Sequence, residues 1–396
     1  MKAVVNLVRI IVGVLFIFSG LVKAIDPLGL SYKMQEFFEL WHMQQFNSWT
    51  LLFSILMNAF EIIAGFALLL GWRIRLFSWL LLLLILFFTF LTGYAYLSGK
   101  FKNCGCFGDC IPITPLTSFA KDIVLTILIG FLFWNRNKIK PLFSEKASTW
   151  LMLLITALSF GLQWYSLTYL PPVDCLPYKK GKNISEQMKM PANAVPDSTV
   201  ITFVYEKDGK QVEFTADKFP ADFGDAYKFV SRYDKIVKKG KNNEPPIKGF
   251  VLTDVSDADS TKIILDKPYA VLVFVENFKV PVSKWENDFE QLYAEAKAKN
   301  IPVYFITGNM NEATGKLKGT SFANIPLLKC DFTAIRTAAR TSPTIYLLNT
   351  GTIIDKKSYK NTDDITDALK SLPVQKLPEP IIQPPIIDTA TINHKQ

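Results

Sequence analysis

Apolar residues run almost without interruption through approximately Val4–Ile25, Leu51–Leu70, Leu76–Leu97, Thr117–Trp134 and Trp150–Leu170. Each stretch is close to the roughly 20 residues a helix needs to cross a hydrocarbon core. The first runs into Val22-Lys23-Ala24-Ile25 without a small-residue cleavage site, which predicts an uncleaved span. After Pro171-Pro172 the pattern becomes that of a soluble chain. Alternating runs at Thr199–Glu206 and Gln211–Thr215, joined through Asp208-Gly209, predict a hairpin, and Lys235–Pro246 reads as a linker. From Lys267 the pattern predicts strand, helix, strand, helix and a final pair of strands. The strands fall at Ala270–Val275, Ile301–Thr307, Thr344–Leu348 and Thr352–Ile354, and the helices at Ser283–Asn300 and Thr333–Arg340, with a further helix closing the order. The expected fold is therefore an α-helical membrane bundle (1–170), a connecting region with a β-hairpin (171–265), an α/β domain (266–372) and a Pro-rich, disordered tail (373–396).

Charge gives the bundle a direction. Arg73 and Arg75 lie between the second and third spans, and Arg136, Lys138, Lys140 and Lys146 between the fourth and fifth. The loop after the first span sets Lys33 against Asp26, Glu36 and Glu39. The positive-inside rule then puts the amino terminus in the cytoplasm and everything after Leu170 outside it. The net charge of +9 suits a basic exterior near anionic lipid. No basic face carries the stacking aromatics that nucleic acid would need.

Five cysteines leave at least one thiol outside any intramolecular disulfide. Cys104, Cys106 and Cys110 share one non-cytoplasmic loop, and Cys175, just past the last span, reaches the same membrane face. A disulfide requires Cα atoms within about 7 Å, so Cys104–Cys106 would be strained. Cys106–Cys110 and a bridge to Cys175 are the expected pairings. Exchangeable thiols and a structural staple both fit this spacing. Zinc is a third reading, disfavoured in an oxidising compartment. Cys330, following Leu327-Leu328, reads as a buried core thiol. His42 and His394 lack partners for hydrolytic chemistry, and no His cluster has metal spacing.

Lys23, Glu61 and Asp122 fall inside the spans, where an ionisable group needs a partner or a cavity. Lys23 and Glu61 would neutralise one another if their helices pack together. A structural ion pair and a proton- or quinone-handling site are the two readings.

Phe18-Ser19-Gly20-Leu21-Val22-Lys23, Glu61-Ile62-Ile63-Ala64-Gly65 with Leu69-Leu70-Gly71, and Cys104-Gly105-Cys106-Phe107-Gly108 resemble the DoxX-like membrane family. The cysteine loop resembles its methylamine-utilisation, MauE-type branch, and the arrangement with Pro177-Tyr178 resembles DoxX-type proteins of the Bacteroidetes. The resemblance covers about the first 170 residues. It implies a bacterial inner-membrane protein associated with disulfide formation or maturation of exported enzymes. The carboxy-terminal half resembles a thioredoxin fold, with Ser342-Pro343-Thr344 at the cis-proline loop. Where that fold carries Cys-x-x-Cys, this chain has the cysteine-free stretch Glu276–Ser283. The resemblance therefore implies a partner-binding domain, lined by Pro343, that does no dithiol chemistry.

These features favour a redox-associated membrane protein in which Cys104, Cys106, Cys110 and Cys175 relay or store a disulfide for an exported client. The rivals are a non-catalytic scaffold of an envelope complex, and a quinone-linked or small-molecule carrier.

Overall fold

The computed structural model describes residues 2–101, 103–238, 240 and 242–376. Lys102, His394 and residues 377–396 of the tail expected over 373–396 lie outside the described residues. Among the described residues, five helices are long and apolar enough to cross a membrane. They are α1 (Lys2–Ile25), α3 (Thr50–Leu70), α4 (Ile74–Ser98), α5 (Pro115–Trp134) and α6 (Glu145–Tyr169). A further helix, α2 (Pro27–Leu40), is too short and polar to cross; Asp26 caps it by accepting from the Gly29 N–H at 3.2 Å. Its weak amphipathicity hid it in the sequence.

Lipid supplies no hydrophobic drive between helices, so close packing must hold the bundle. Glycines let α1 and α3 touch backbone to backbone. A Cβ on Gly65 would sit 2.8 Å from the Gly13 carbonyl oxygen and 3.0 Å from the Ile17 nitrogen, and one on Gly20 would sit 2.9 Å from the Ile62 nitrogen. Polar groups bind the same helices. Asn58 Nδ2 donates to the Lys23 carbonyl and to Gln163 Oε1, both at 3.2 Å, linking α1, α3 and α6. Arg9 Nε donates to the Leu68 carbonyl at 2.7 Å, satisfying the exposed carbonyl end of α3. Gly65→Ala is expected to cost about 1–3 kcal/mol by overpacking, read as a lower denaturation midpoint in detergent. Gly130→Ala on α5, whose Cβ would meet nothing within 4 Å, should leave that midpoint in place.

Beyond the bundle, β1 (Ser198–Lys207), β2 (Lys210–Thr215) and β3 (Lys228–Lys238) form an antiparallel sheet in the order β2-β1-β3. The expected hairpin is there, but the start of the expected linker belongs to β3. The second sheet has the order β6-β5-β4-β7-β8. Its strands are β4 (Tyr269–Val275), β5 (Val303–Thr307), β6 (Leu327–Lys329), β7 (Thr344–Asn349) and β8 (Thr352–Ser358). β4, β5 and β6 run parallel, and β7 and β8 return antiparallel. Helices α9 (Glu286–Ala298) and α12 (Thr362–Lys370) cover one face, where Trp285, Phe289, Phe305 and Phe322 make the core. The other face packs against α7 (Ile184–Gln187), α8 (Thr261–Leu265) and α11 (Phe332–Ala338), with Tyr178, Phe250 and Leu252. The α/β unit thus recruits residues on both sides of the small sheet, and a boundary at 266 is too late. Helix α10 (Met310–Leu317) and strand β6 were also missed. The first buries only Ala313 and Leu317, and the second is three residues long, so neither shows a period.

Candidate functional site

The cysteine loop lies over the end of the bundle that carries α2. Phe37 of α2 stacks on Phe101 with ring centroids 4.2 Å apart, and Cys104 is buried beside them and Ala95. Ser19 of α1 donates to the Cys106 carbonyl at 3.1 Å. Gly105 turns between the two cysteines at φ +70°, a conformation that favours glycine. Cys104 and Cys106 are free thiols. Burial pushes the Cys106 thiol up to about 11, with Lys121 opposing the rise, and burial raises the Cys104 thiol as well.

Cys110 is bonded to Cys175, with Cα atoms 4.9 Å apart. The expected bridge to Cys175 is therefore formed, but the expected Cys106–Cys110 pairing is not. Cys106 faces inward between the helices, while Cys110 reaches the segment leaving α6. With two of the four sulfurs joined to each other, a four-thiolate zinc site is closed off in this state. Cys330 lies apart from the other four, buried in the α/β core, where burial raises its thiol to about 11.

The Cys104 and Cys106 thiols both line a cavity of about 550 Å³ bounded by α1, α2, α3, α4, the loop and Lys121 of α5. Its wall is overwhelmingly apolar, and its polar end holds Lys23, Lys121, Cys104 and Cys106. Phe53, Leu56 and Phe87 line it and are also exposed on the bundle's outer surface, so it opens sideways. Lys23 is buried, ion-paired with Glu61, and lies 5.1 Å from the Phe88 ring centroid. Asp122 pairs with Lys121 and accepts from Thr92 at 3.0 Å. Among the described residues Glu61 Oε2 has no hydrogen-bond partner, and Glu61 borders a second space of about 30 Å³ with Lys121 and Asp122. The three intramembrane charges of the sequence thus converge under the cysteine loop. Lys121 joins them, a residue that reads from sequence as an ordinary helix-end lysine.

The α/β unit docks on this same end. Arg340, fully buried just before the cis Ser342–Pro343 bond, donates from Nε to Asp26 at 2.8 and 3.0 Å. Its Nη2 donates to Asp109, the neighbour of Cys110, at 2.8 Å. Burial alone would lower the Arg340 pKa; Asp26 and Asp109 more than reverse this, so it stays charged. Tyr32 of α2 donates to Glu276 at 3.0 Å, and Arg336 pairs with Glu276 at 3.1 Å while lying over the Tyr32 ring. Pro343 is buried in the folded chain, so it lines no open peptide edge. The surface beside it is occupied by the membrane half.

Comparison with known proteins divides the chain along these lines. Residues 1–135 match the family model of methylamine utilisation protein MauE. That span holds the complete cavity lining and every cysteine of the loop. Residues 199–239 match a family model described only as a domain of unknown function, and they correspond to the three-stranded sheet. Protein TlpB of Flavobacterium psychrophilum is 29% identical over 137 residues, covering 33% of this chain and 36% of that protein. The chain thus spans only about a third of that relative's length.

Proposed function

We propose that this chain is a thiol–disulfide relay of the bacterial inner membrane that matures exported proteins. The amino terminus lies in the cytoplasm, and the cysteine loop and α/β unit lie outside it, as the basic loops direct. One observation carries the reading: a free pair, Cys104 and Cys106, facing a cavity, and a bonded pair, Cys110–Cys175, anchored in the same loop. Similarity of residues 1–135 to MauE supports a membrane role of this kind.

Each step is thiol–disulfide exchange, so electrons and protons balance within it. A client thiolate attacks the Cys110–Cys175 bond; the client's second thiolate then closes the client disulfide and leaves Cys110 and Cys175 as thiols. Those thiols in turn reduce a Cys104–Cys106 disulfide through a transient bond between Cys106 and Cys110. A short-range disulfide of that kind is strained and therefore oxidising, which drives the exchange outward. We read the α/β unit as thioredoxin-like from its sheet order and its flanking helices. Lacking cysteines at Glu276–Ser283, it positions the loop without redox chemistry of its own.

Thiol trapping in intact cells, with mass-spectrometric mapping of the five cysteines, tests this reading. The expected result is a mixture of oxidised and reduced Cys104, Cys106, Cys110 and Cys175 that shifts with mild reductant. A single pattern, with Cys110–Cys175 resistant to reduction and Cys104 and Cys106 always free, would make the bridge a staple and the chain a scaffold.

A further inference from the structure

A relay that only exchanges disulfides stalls after one turnover unless something re-oxidises the inner pair. We propose that the cavity binds an isoprenoid quinone, which accepts the electrons of Cys104 and Cys106; this rests on the relay reading above. The cavity's volume of about 550 Å³ suits a ring-sized head group with the start of a chain. Its sideways mouth at Phe53, Leu56 and Phe87 faces the hydrocarbon, so the ligand enters from lipid, not from water. Trp41 and Phe88 on its wall offer faces for a planar ring.

The polar end supplies what a quinone, and not a plain acyl chain, would use. The Lys23 and Lys121 ammonium groups can donate to the carbonyl oxygens and stabilise the negative charge that develops on them. The free thiols stand at the same end. In the reaction both S–H bonds break and the S–S bond forms. Two electrons and two protons pass to the quinone, whose two carbonyl oxygens become the hydroxyls of the quinol. Glu61, paired with Lys23 on one oxygen and unpartnered on the other, then has a reason to be buried at this depth.

The test uses the full chain, purified in mild detergent, with a short-chain ubiquinone and menaquinone as probes. Organic extraction of the untreated protein is expected to release quinone. Added probe should quench tryptophan fluorescence, and the pre-reduced protein should convert about two probes per molecule to quinol, one as Cys104 and Cys106 oxidise and one as they pass on the electrons of Cys110 and Cys175. Met57→Trp and Leu91→Trp, which fill the cavity, should weaken probe binding at least tenfold, and having two such variants guards against misfolding of either. Extraction of phospholipid alone, with no quenching and no quinol, overturns the quinone assignment while leaving client exchange intact. Quenching without any quinol formation by the reduced protein instead overturns the relay.

Discussion

Replacing Cys106 by serine is expected to end multiple-turnover oxidation of a dithiol client while sparing one burst. The bonded Cys110–Cys175 pair can oxidise one client equivalent and then cannot be recharged, because serine forms no disulfide. The assay is oxidation of a dithiol peptide by purified protein in the presence of quinone, followed through many equivalents. Cys110→Ser should remove the burst as well, and Cys330→Ser, buried in the α/β core, should change neither phase. Re-oxidation of the Cys104–Cys106 dithiol by quinone, on which recharging depends, should also rise with pH. Burial holds Cys106 at about 11, so it is protonated throughout the neutral range. Its thiolate fraction then grows about tenfold per pH unit from 7 to 10. A rate flat over that range would mean that another group makes the attack, and undiminished turnover by the serine variant would remove Cys106 from the relay.

The spans were legible because an uninterrupted apolar run of membrane length has few other readings. Lys23, Glu61 and Asp122 stood out for the same reason, as charges in the wrong solvent. What stayed hidden is what depends on partners distant in sequence. Lys121 reads as a helix-end lysine until α5 packs beneath the loop. Asn58 and Gln163 are unremarked amides until α1, α3 and α6 meet. The pairing of Cys110 with Cys175 turns on which way each side chain faces, and spacing does not encode that. The cavity was invisible for a stronger reason. Its wall is made of Phe, Leu and Met, the same residues that fill a core, and only the packing shows that they leave space.

The position of Arg340 links the two halves and yields the second large expected effect. The surface beside Pro343 is covered by the chain's own membrane half, through Arg340 with Asp26 and Asp109 and through Glu276 with Tyr32. Arg340 is 3% exposed and holds Asp26, itself 14% exposed, together with the more open Asp109. Stranding one member of a buried ion pair costs about 3–5 kcal/mol, and Asp109, 45% exposed, recovers part of its share through water. Arg340→Gln should therefore loosen the docked unit by about 2–3 kcal/mol. The Cys110–Cys175 bridge and the α/β core would remain, so the loss is one of docking, not of folding. Hydrogen exchange is the direct reading: amides of α2 and of the segment around Glu276 should lose protection, while β4 and β5 keep theirs. Pairing the change with Asp26→Asn, which preserves a capping oxygen for α2, should cost less than the two single changes added together, because the stranded carboxylate is gone. Strict additivity would mean that Arg340 and Asp26 do not hold the halves together. Partial recovery would tie the α/β unit to the cysteine loop through Asp109, and would explain how a domain without a Cys-x-x-Cys pair governs the setting of Cys110.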